Sequence, residues 1–193
     1  MKNVNACLLL IISLAMAACD TPPSTGGAAA TSAIPAAPPP PPPAPGTSGN
    51  SVSAESARVQ DDFRRFTLAT ESDDWDTFFA LLHPKVVESS GGRDAMRKQA
   101  RPAAKAESIT FPTAPTFLKG REHEYVVVPW AMVIALGERK IEATGSQLGV
   151  RPIGATTWGY MDGSGQDRAE LVKEFPDFPP DYQFPAPSKR VAK

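Results

Sequence analysis

Residues 124–136 restrict the fold of this chain more than any other stretch. Val126, Val128, Trp130, Met132, Ile134 and Leu136 alternate along one face, and the intervening Tyr125, Val127, Ala131, Val133 and Ala135 are apolar too. Period-two alternation of β-branched and aromatic residues marks a strand. A strand that is apolar on both faces must be covered on both. One cover is expected to be helical; the other is either the C-terminal segment or a second subunit. Pro129 lies mid-run and lacks a ladder donor, so a bulge or a sheet edge is expected there. Gly137-Glu138 reads as a hairpin turn into 139–150, where Ile141 and Ala143 alternate with Lys140, Glu142 and Thr144. Shorter strands are expected at 108–111, 116–118 and 153–161.

The helical cover is expected to precede the strands. Val59, Phe63 and Phe66 recur at helical spacing within 54–69, opposite Asp61, Asp62, Arg64 and Arg65. After a break at 70–74, Asp73 is the expected N-cap of a short helix carrying Trp75, Phe78, Phe79 and Leu82 on one stripe. His83-Pro84 ends it, and 85–88 reads as a short extended piece. Ser90-Gly91-Gly92 leads into a third helix over 93–101, stopped by Pro102. Near the C-terminus, Asp162-Gly163-Ser164-Gly165 is a turn signal, and Asp167 caps a last helix bearing Leu171, Val172 and Phe175. Order is expected to fade over 175–180. Helices followed by long antiparallel strands indicate an α+β domain with segregated layers.

The N-terminal quarter differs in kind. Residues 21–50 are almost wholly Pro, Ala, Gly, Ser and Thr, with six consecutive prolines at 38–43. Such a stretch buries too little surface to offset its ordering entropy. Its prolines favour a semi-stiff extended spacer, reaching on the order of 90 Å at ~3.1 Å per residue. Before it, Lys2 precedes an apolar run over residues 8–16 that is too short to span a bilayer. Ala17-Ala18-Cys19 then closes the segment. This end resembles a bacterial lipobox, with Met16 where leucine is commonest. The resemblance implies a signal peptide over 1–18, lipid (a diacylglyceryl group and an amide-linked acyl chain such as palmitate) on Cys19, and a membrane anchor facing the periplasm. Asp20 resembles an inner-membrane retention signal, with the outer membrane as the alternative. The expected organisation is thus 1–18 signal peptide, 19–53 lipidated cysteine and disordered tether, 54–185 folded domain, 186–193 disordered tail.

From residue 55 onward the chain resembles the NTF2-like (SnoaL-like) superfamily. The resemblance rests on the amphipathic first helix, the 75–82 helix running into His83-Pro84, the Gly91-Gly92-Arg93 helix start and the long hairpin. It rests also on Thr157-Trp158-Gly159-Tyr160-Met161-Asp162-Gly163 followed by Leu171 and Phe175-Pro176-Asp177-Phe178-Pro179. It implies a cone, with N-terminal helices packed on a strongly curved antiparallel sheet around a pocket, and dimers through the outer sheet face. Members include isomerases, dehydratases, cyclases and binding or scaffold domains, so the fold alone does not fix function.

The remaining chemistry narrows the classes. Twenty basic and 21 acidic residues give a formal net charge of −1, without the basic footprint of a nucleic-acid binder. Cys7 and Cys19 are the only cysteines, and His83 and His123 the only histidines. No metal-ligand spacing, nucleophile elbow or phosphate loop occurs, and no cofactor is expected. An acid–base pocket has Asp74, His83, Tyr125, Glu142 and Tyr160 as candidates. Each has an ordinary structural role available, and His123 reads as a solvated approach to the strand. The expected function is therefore a membrane-anchored envelope lipoprotein whose domain binds a small apolar ligand or a protein partner. The alternatives are a small-pocket isomerase or hydro-lyase, and a structural tether. Candidate pocket residues are Trp75, His83, Tyr125, Trp130, Trp158 and Tyr160.

Overall fold

The computed structural model describes residues 49–100, 104–137 and 139–191. The expected signal peptide, lipid site and most of the tether lie outside them. The chain folds as an α+β domain. Four helices come first: α1 (Gly49–Glu71), α2 (Trp75–Leu81), α3 (Pro84–Ser89) and α4 (Arg93–Gln99). The strands are β1 (Lys105–Thr110), β2 (Thr116–Lys119), β3 (His123–Leu136), β4 (Arg139–Pro152), β5 (Gly159–Asp162) and β6 (Ser188–Val191), with α5 (Arg168–Glu174) between the last two.

Among the described residues the six strands pair antiparallel within one sheet, and Leu82 makes an isolated parallel bridge to Tyr160. β3 and β4 pair along their whole length, from His123↔Pro152 to Leu136↔Arg139. β1 and β2 share the outer edge of β3, and β5 and β6 share the outer edge of β4. The β3–β4 register runs unbroken through Pro129↔Ser146, so there is no bulge at the proline. Ser146 uses its N–H on Ser164 Oγ and its carbonyl on the Gly163 N–H, both on the β5 side. Pro129 therefore sits in a non-hydrogen-bonded pair. Its nitrogen faces the gap between β2, which ends opposite Val127, and β1, which ends opposite Ala131. The register shift in the sheet falls instead between Ala106 and Ser108 of β1.

Both faces of β3 are covered. On the helical face, Val59, Phe66, Phe78, Phe79, Leu81 and Leu82 pack with Val126, Val128, Trp158 and Tyr160. Phe63 extends this layer by stacking on Trp130 at 5.7 Å between ring centroids. On the opposite face, Tyr125, Val127, Leu148, Val150 and Met161 lie under Leu171, Phe175 and Phe178. The C-terminal segment, one of the two covers expected for that face, packs there.

Several elements depart from expectation. Asp74, rather than Asp73, caps α2, accepting the Thr77 N–H; Asp73 instead takes a positive φ of 55° in the break. Residues 85–88 are helical, because His83 caps α3: its Nδ1 accepts the Lys85 N–H, and Pro84 supplies a preset φ at the first position. The strand expected over 153–161 is confined to β5, since residues 153–156 turn through Gly154 at φ 85°. The C-terminal region does not lose order at 175–180. Phe175 and Phe178 are buried, and residues 188–191, expected as a disordered tail, pair as β6 with 141–144 of β4.

Candidate functional site

The far end of the helical face holds a further core cluster, in which Phe63, Trp130, Met132, Ile134, Ile141 and Ala143 are buried and Ile109 and Phe111 pack against them. Beyond Phe63, the far ends of β3 and β4 carry Trp130, Met132, Ile134 and Ala143 over a groove of ≈ 260 Å³. Its other wall comes from the β4 edge, the β5 end and the strand β6: Thr144, Asp162, Ser164 and residues Pro187 to Lys189. A cavity of about 150 Å³ lined by aliphatic side chains accepts a benzene molecule, and drug-sized ligand sites start near 300 Å³. The groove thus has room for a small apolar molecule larger than one ring.

Each wall residue is placed by strand parity. Trp130, Met132 and Ile134 are paired with Gly145, Ala143 and Ile141, and share the helical face with Val126 and Val128. Val128 pairs with Gln147, and Gln147 with Asp162, so Asp162 points to this face as well. Gly145 makes the close packing there feasible. A Cβ at that position would collide with Ser164 Oγ and lie 2.5 Å from Trp130 Cζ2 and 3.0 Å from Cε2.

The groove's one carboxyl is Asp162, 6% exposed. It accepts the Ser164 N–H at 2.8 Å. Burial raises its pKa above the usual carboxylate range, against the opposing effect of the Ser164 hydrogen bonds. Trp130 is 7% exposed, and its Nε1–H has no acceptor among the described residues; Gln147 Oε1 likewise lacks a donor. Leaving such a buried group unpaired costs roughly 1–3 kcal/mol.

The six candidate pocket residues do not share one site: Trp130 alone lines the groove, Tyr125 and Trp158 line a separate cavity of ≈ 150 Å³, and Trp75 packs against the core cluster that holds Trp158 and Tyr160. Tyr160 is buried in the helical layer, where its hydroxyl donates to Asp62 Oδ2 at 2.8 Å. Burial first, and the Asp62 carboxylate second, push its pKa up. Trp158 donates from Nε1 to Glu55 Oε1 at 2.8 Å and lies under the Arg151 guanidinium, 4.0 Å from its ring centroid. Arg151 also pairs with Glu55 and Glu124 at 2.9 and 2.8 Å, tying α1 to the ends of β3 and β4. Trp75 packs edge-on to Phe78, against the helical core. His83 caps α3 and meets Phe175 edge-on. Among the acid–base candidates, Asp74 is a helix cap, and Glu142 pairs with Arg190 on the sheet's other face.

Tyr125 faces away from the groove, into a cluster the sequence reading missed. Its hydroxyl donates to Asp177 Oδ1 at 2.6 Å. Asp177 also accepts the Glu122 and His123 backbone N–H groups at 2.9 Å each, and His123 Nδ1 lies 3.1 Å from Oδ1. The carboxylate is 5% exposed. Desolvation alone would raise its pKa; the four hydrogen bonds outweigh that and hold it well below the usual range. Burial, with Asp177 beside it, raises the pKa of Tyr125. His123 is therefore a partner of Asp177, not a solvated approach residue. This cluster locks the C-terminal segment onto the sheet, and Tyr125 also lines the second, smaller cavity of ≈ 150 Å³ with Phe117, Arg151 and Trp158.

Signals for both missed residues exist in the sequence. Tyr160 and Asp162 are two apart in a strand, so they share a face. Leu171, Phe175 and Phe178 recur at i, i+4 and i+7, which marks a packed segment around Asp177. Among the described residues no group of His, Cys, Asp and Glu is arranged to hold a metal ion, and no helix is long and apolar enough to cross a membrane. No family model, curated protein or solved structure matches the chain.

Proposed function

We propose that this chain is an envelope lipoprotein, held to the membrane through Cys19, whose domain binds a small apolar ligand in the groove of the helical face. In this reading the domain is an NTF2-like cone and the groove is its mouth. The carrying observation is the apolar wall of Trp130, Met132, Ile134 and Ala143, each less than a tenth exposed, around ≈ 260 Å³. A ligand site of this kind combines apolar walls with a few fixed polar groups, and Asp162 and Ser164 supply them.

The test is titration of the full-length chain with the fluorescent apolar probe N-phenyl-1-naphthylamine. Saturable binding at one site is expected, abolished by Ala143→Phe, which fills the groove from its floor. Absence of saturable binding, or binding untouched by Ala143→Phe in a variant that keeps its circular dichroism, contradicts the reading. One observation favours a second reading, proton transfer within the groove: Asp162 is a carboxyl of raised pKa in an apolar setting. That reading requires deuterium exchange at the α-carbon of a groove-bound ketone, lost in Asp162→Asn.

A further inference from the structure

Three polar groups meet on the groove side of the sheet without using their full hydrogen-bonding capacity. The Trp130 Nε1–H lacks an acceptor, and Gln147 Oε1 lacks a donor. Asp162 takes hydrogen bonds from Ser164 alone. They are neighbours by register. Trp130 pairs with Gly145, and Gln147 pairs across to Asp162 in the adjoining row of the same face. The missing Cβ of Gly145 lets the Cζ2–Cε2 edge of the indole, the edge that leads to Nε1, lie beside Ser164 Oγ. Ser164, Asp162 and Trp130 all line the groove.

The complement of this arrangement is a narrow chemical class. An indole N–H only donates, whereas a carboxylate and an amide oxygen only accept. An anionic head group would satisfy Trp130 and meet the exposed Lys189 at the groove's rim, but it would face the buried Asp162 carboxylate. An ammonium would satisfy Asp162 but face the indole N–H. A carbonyl would serve Trp130 and leave Asp162 as it is. A hydroxyl both accepts and donates. The apolar remainder of the wall (Met132, Ile134, Ala143) takes a hydrocarbon body.

Resting on the reading of the groove as a ligand site, we infer that its occupant is a neutral aliphatic alcohol: a hydrocarbon body against Met132, Ile134 and Ala143, and one hydroxyl that accepts from Trp130 Nε1 and donates to Asp162. The indole is itself a wall of the groove, and its Nε1–H is buried without an acceptor. Filling an orphaned donor and a singly served carboxyl gives a discrimination that hydrocarbon contact alone does not, because an analogue lacking the hydroxyl leaves the buried groups unpaired.

The experiment uses the full-length chain and three probes with the same number of non-hydrogen atoms: 1-hexanol, 1-methoxypentane and heptane. Each competes against N-phenyl-1-naphthylamine, and the Trp130 indole N–H resonance is followed in parallel. Hexanol is expected to displace the dye with an affinity at least ~10-fold above that of heptane, with the ether, which accepts but cannot donate, between them. The Trp130 N–H resonance should move downfield with hexanol and the ether, not with heptane. Trp130→Phe and Asp162→Asn should each lower the ratio of hexanol affinity to heptane affinity; a ratio that keeps the unaltered chain's value in both variants overturns the hydroxyl assignment. Asp162 also takes part in a turn, so the probe series is read first on the unaltered chain. Equal displacement by hexanol and heptane, with the dye bound at the groove, overturns the hydroxyl assignment and leaves the apolar site standing. A dye that never binds the groove overturns both.

Discussion

At the scale of single residues, Asp177 concentrates more interactions than any other side chain described here. One carboxylate, 5% exposed, serves two backbone N–H groups, a tyrosine hydroxyl and a histidine. Removing it leaves the hydroxyl of the buried Tyr125 and the N–H of the part-buried His123 without their acceptor, so Asp177→Ala should destabilise the domain by about 2–4 kcal/mol in urea denaturation. Gly120 packs directly beneath: a Cβ there would approach the Asp177 carbonyl oxygen to 2.7 Å. Gly120→Ala should therefore cost about 1–3 kcal/mol through backbone displacement. A stability loss below 0.5 kcal/mol for either variant would contradict this description of the cluster. His83 makes a different prediction. Burial, then the Lys85 and His123 charges, lower its pKa from 6.5 to about 4. The unfolded chain thus binds a proton at a higher pH than the folded one. The stabilisation is complete above about pH 6.5 and is lost as the pH falls toward about 4. Discounted for the half-buried position of the ring, it amounts to roughly 1–2 kcal/mol. His83→Asn keeps a capping acceptor without the titration, and its stability should be flatter across that interval.

The elements show which parts of the fold local sequence specifies. The long hairpin was legible because β3 and β4 carry period-two patterns that no helix tolerates, and α1 because its aromatics recur at helical spacing. Helix α3 was not legible. Its Lys-Val-Val-Glu core has extended propensity, and the helix exists because His83 and Pro84 together form its start. The C-terminal segment misled for a related reason. Prolines at 176, 179 and 180 read as an end of order, although a proline-rich strap keeps its conformation when its aromatics find a surface. Phe175 and Phe178 are 1% and 3% exposed against Tyr125, and Phe184 stacks on Phe178 at 5.8 Å. Phe175→Ala should cost about 3–5 kcal/mol, as for other buried aromatics; a loss under 1 kcal/mol would mean that the strap is not part of the folded core. The groove was half legible. Trp130 announced itself as an aromatic on the correct face, but Asp162 was hidden in a turn signal. The β6 wall was invisible, because four exposed residues carry no pattern before β4 offers them an edge.

At the scale of the whole molecule, the proposed function joins two parts: a lipid anchor proposed at Cys19 and a domain with an apolar groove at one end of its sheet. The first part predicts that Cys19→Ser moves the protein from the membrane fraction to the soluble envelope fraction without altering the domain's unfolding transition; a variant that still sediments with membranes contradicts lipid anchoring. The second part carries the functional claim. Residues 171–184 cover one face over Tyr125, Val127, Leu148 and Val150, the helices α1 and α2 cover the other, and the groove lies where Met132, Ile134 and Ala143 meet the β6 edge. The most direct test is isotope-filtered nuclear Overhauser spectroscopy on the methyl-labelled chain with 1-hexanol. The account predicts contacts from the ligand methylenes to the Met132, Ile134 and Ala143 methyls, and none to Leu148 or Val150 on the face that residues 171–184 cover. Contacts elsewhere on the domain, or no contacts under saturating alcohol, would contradict it.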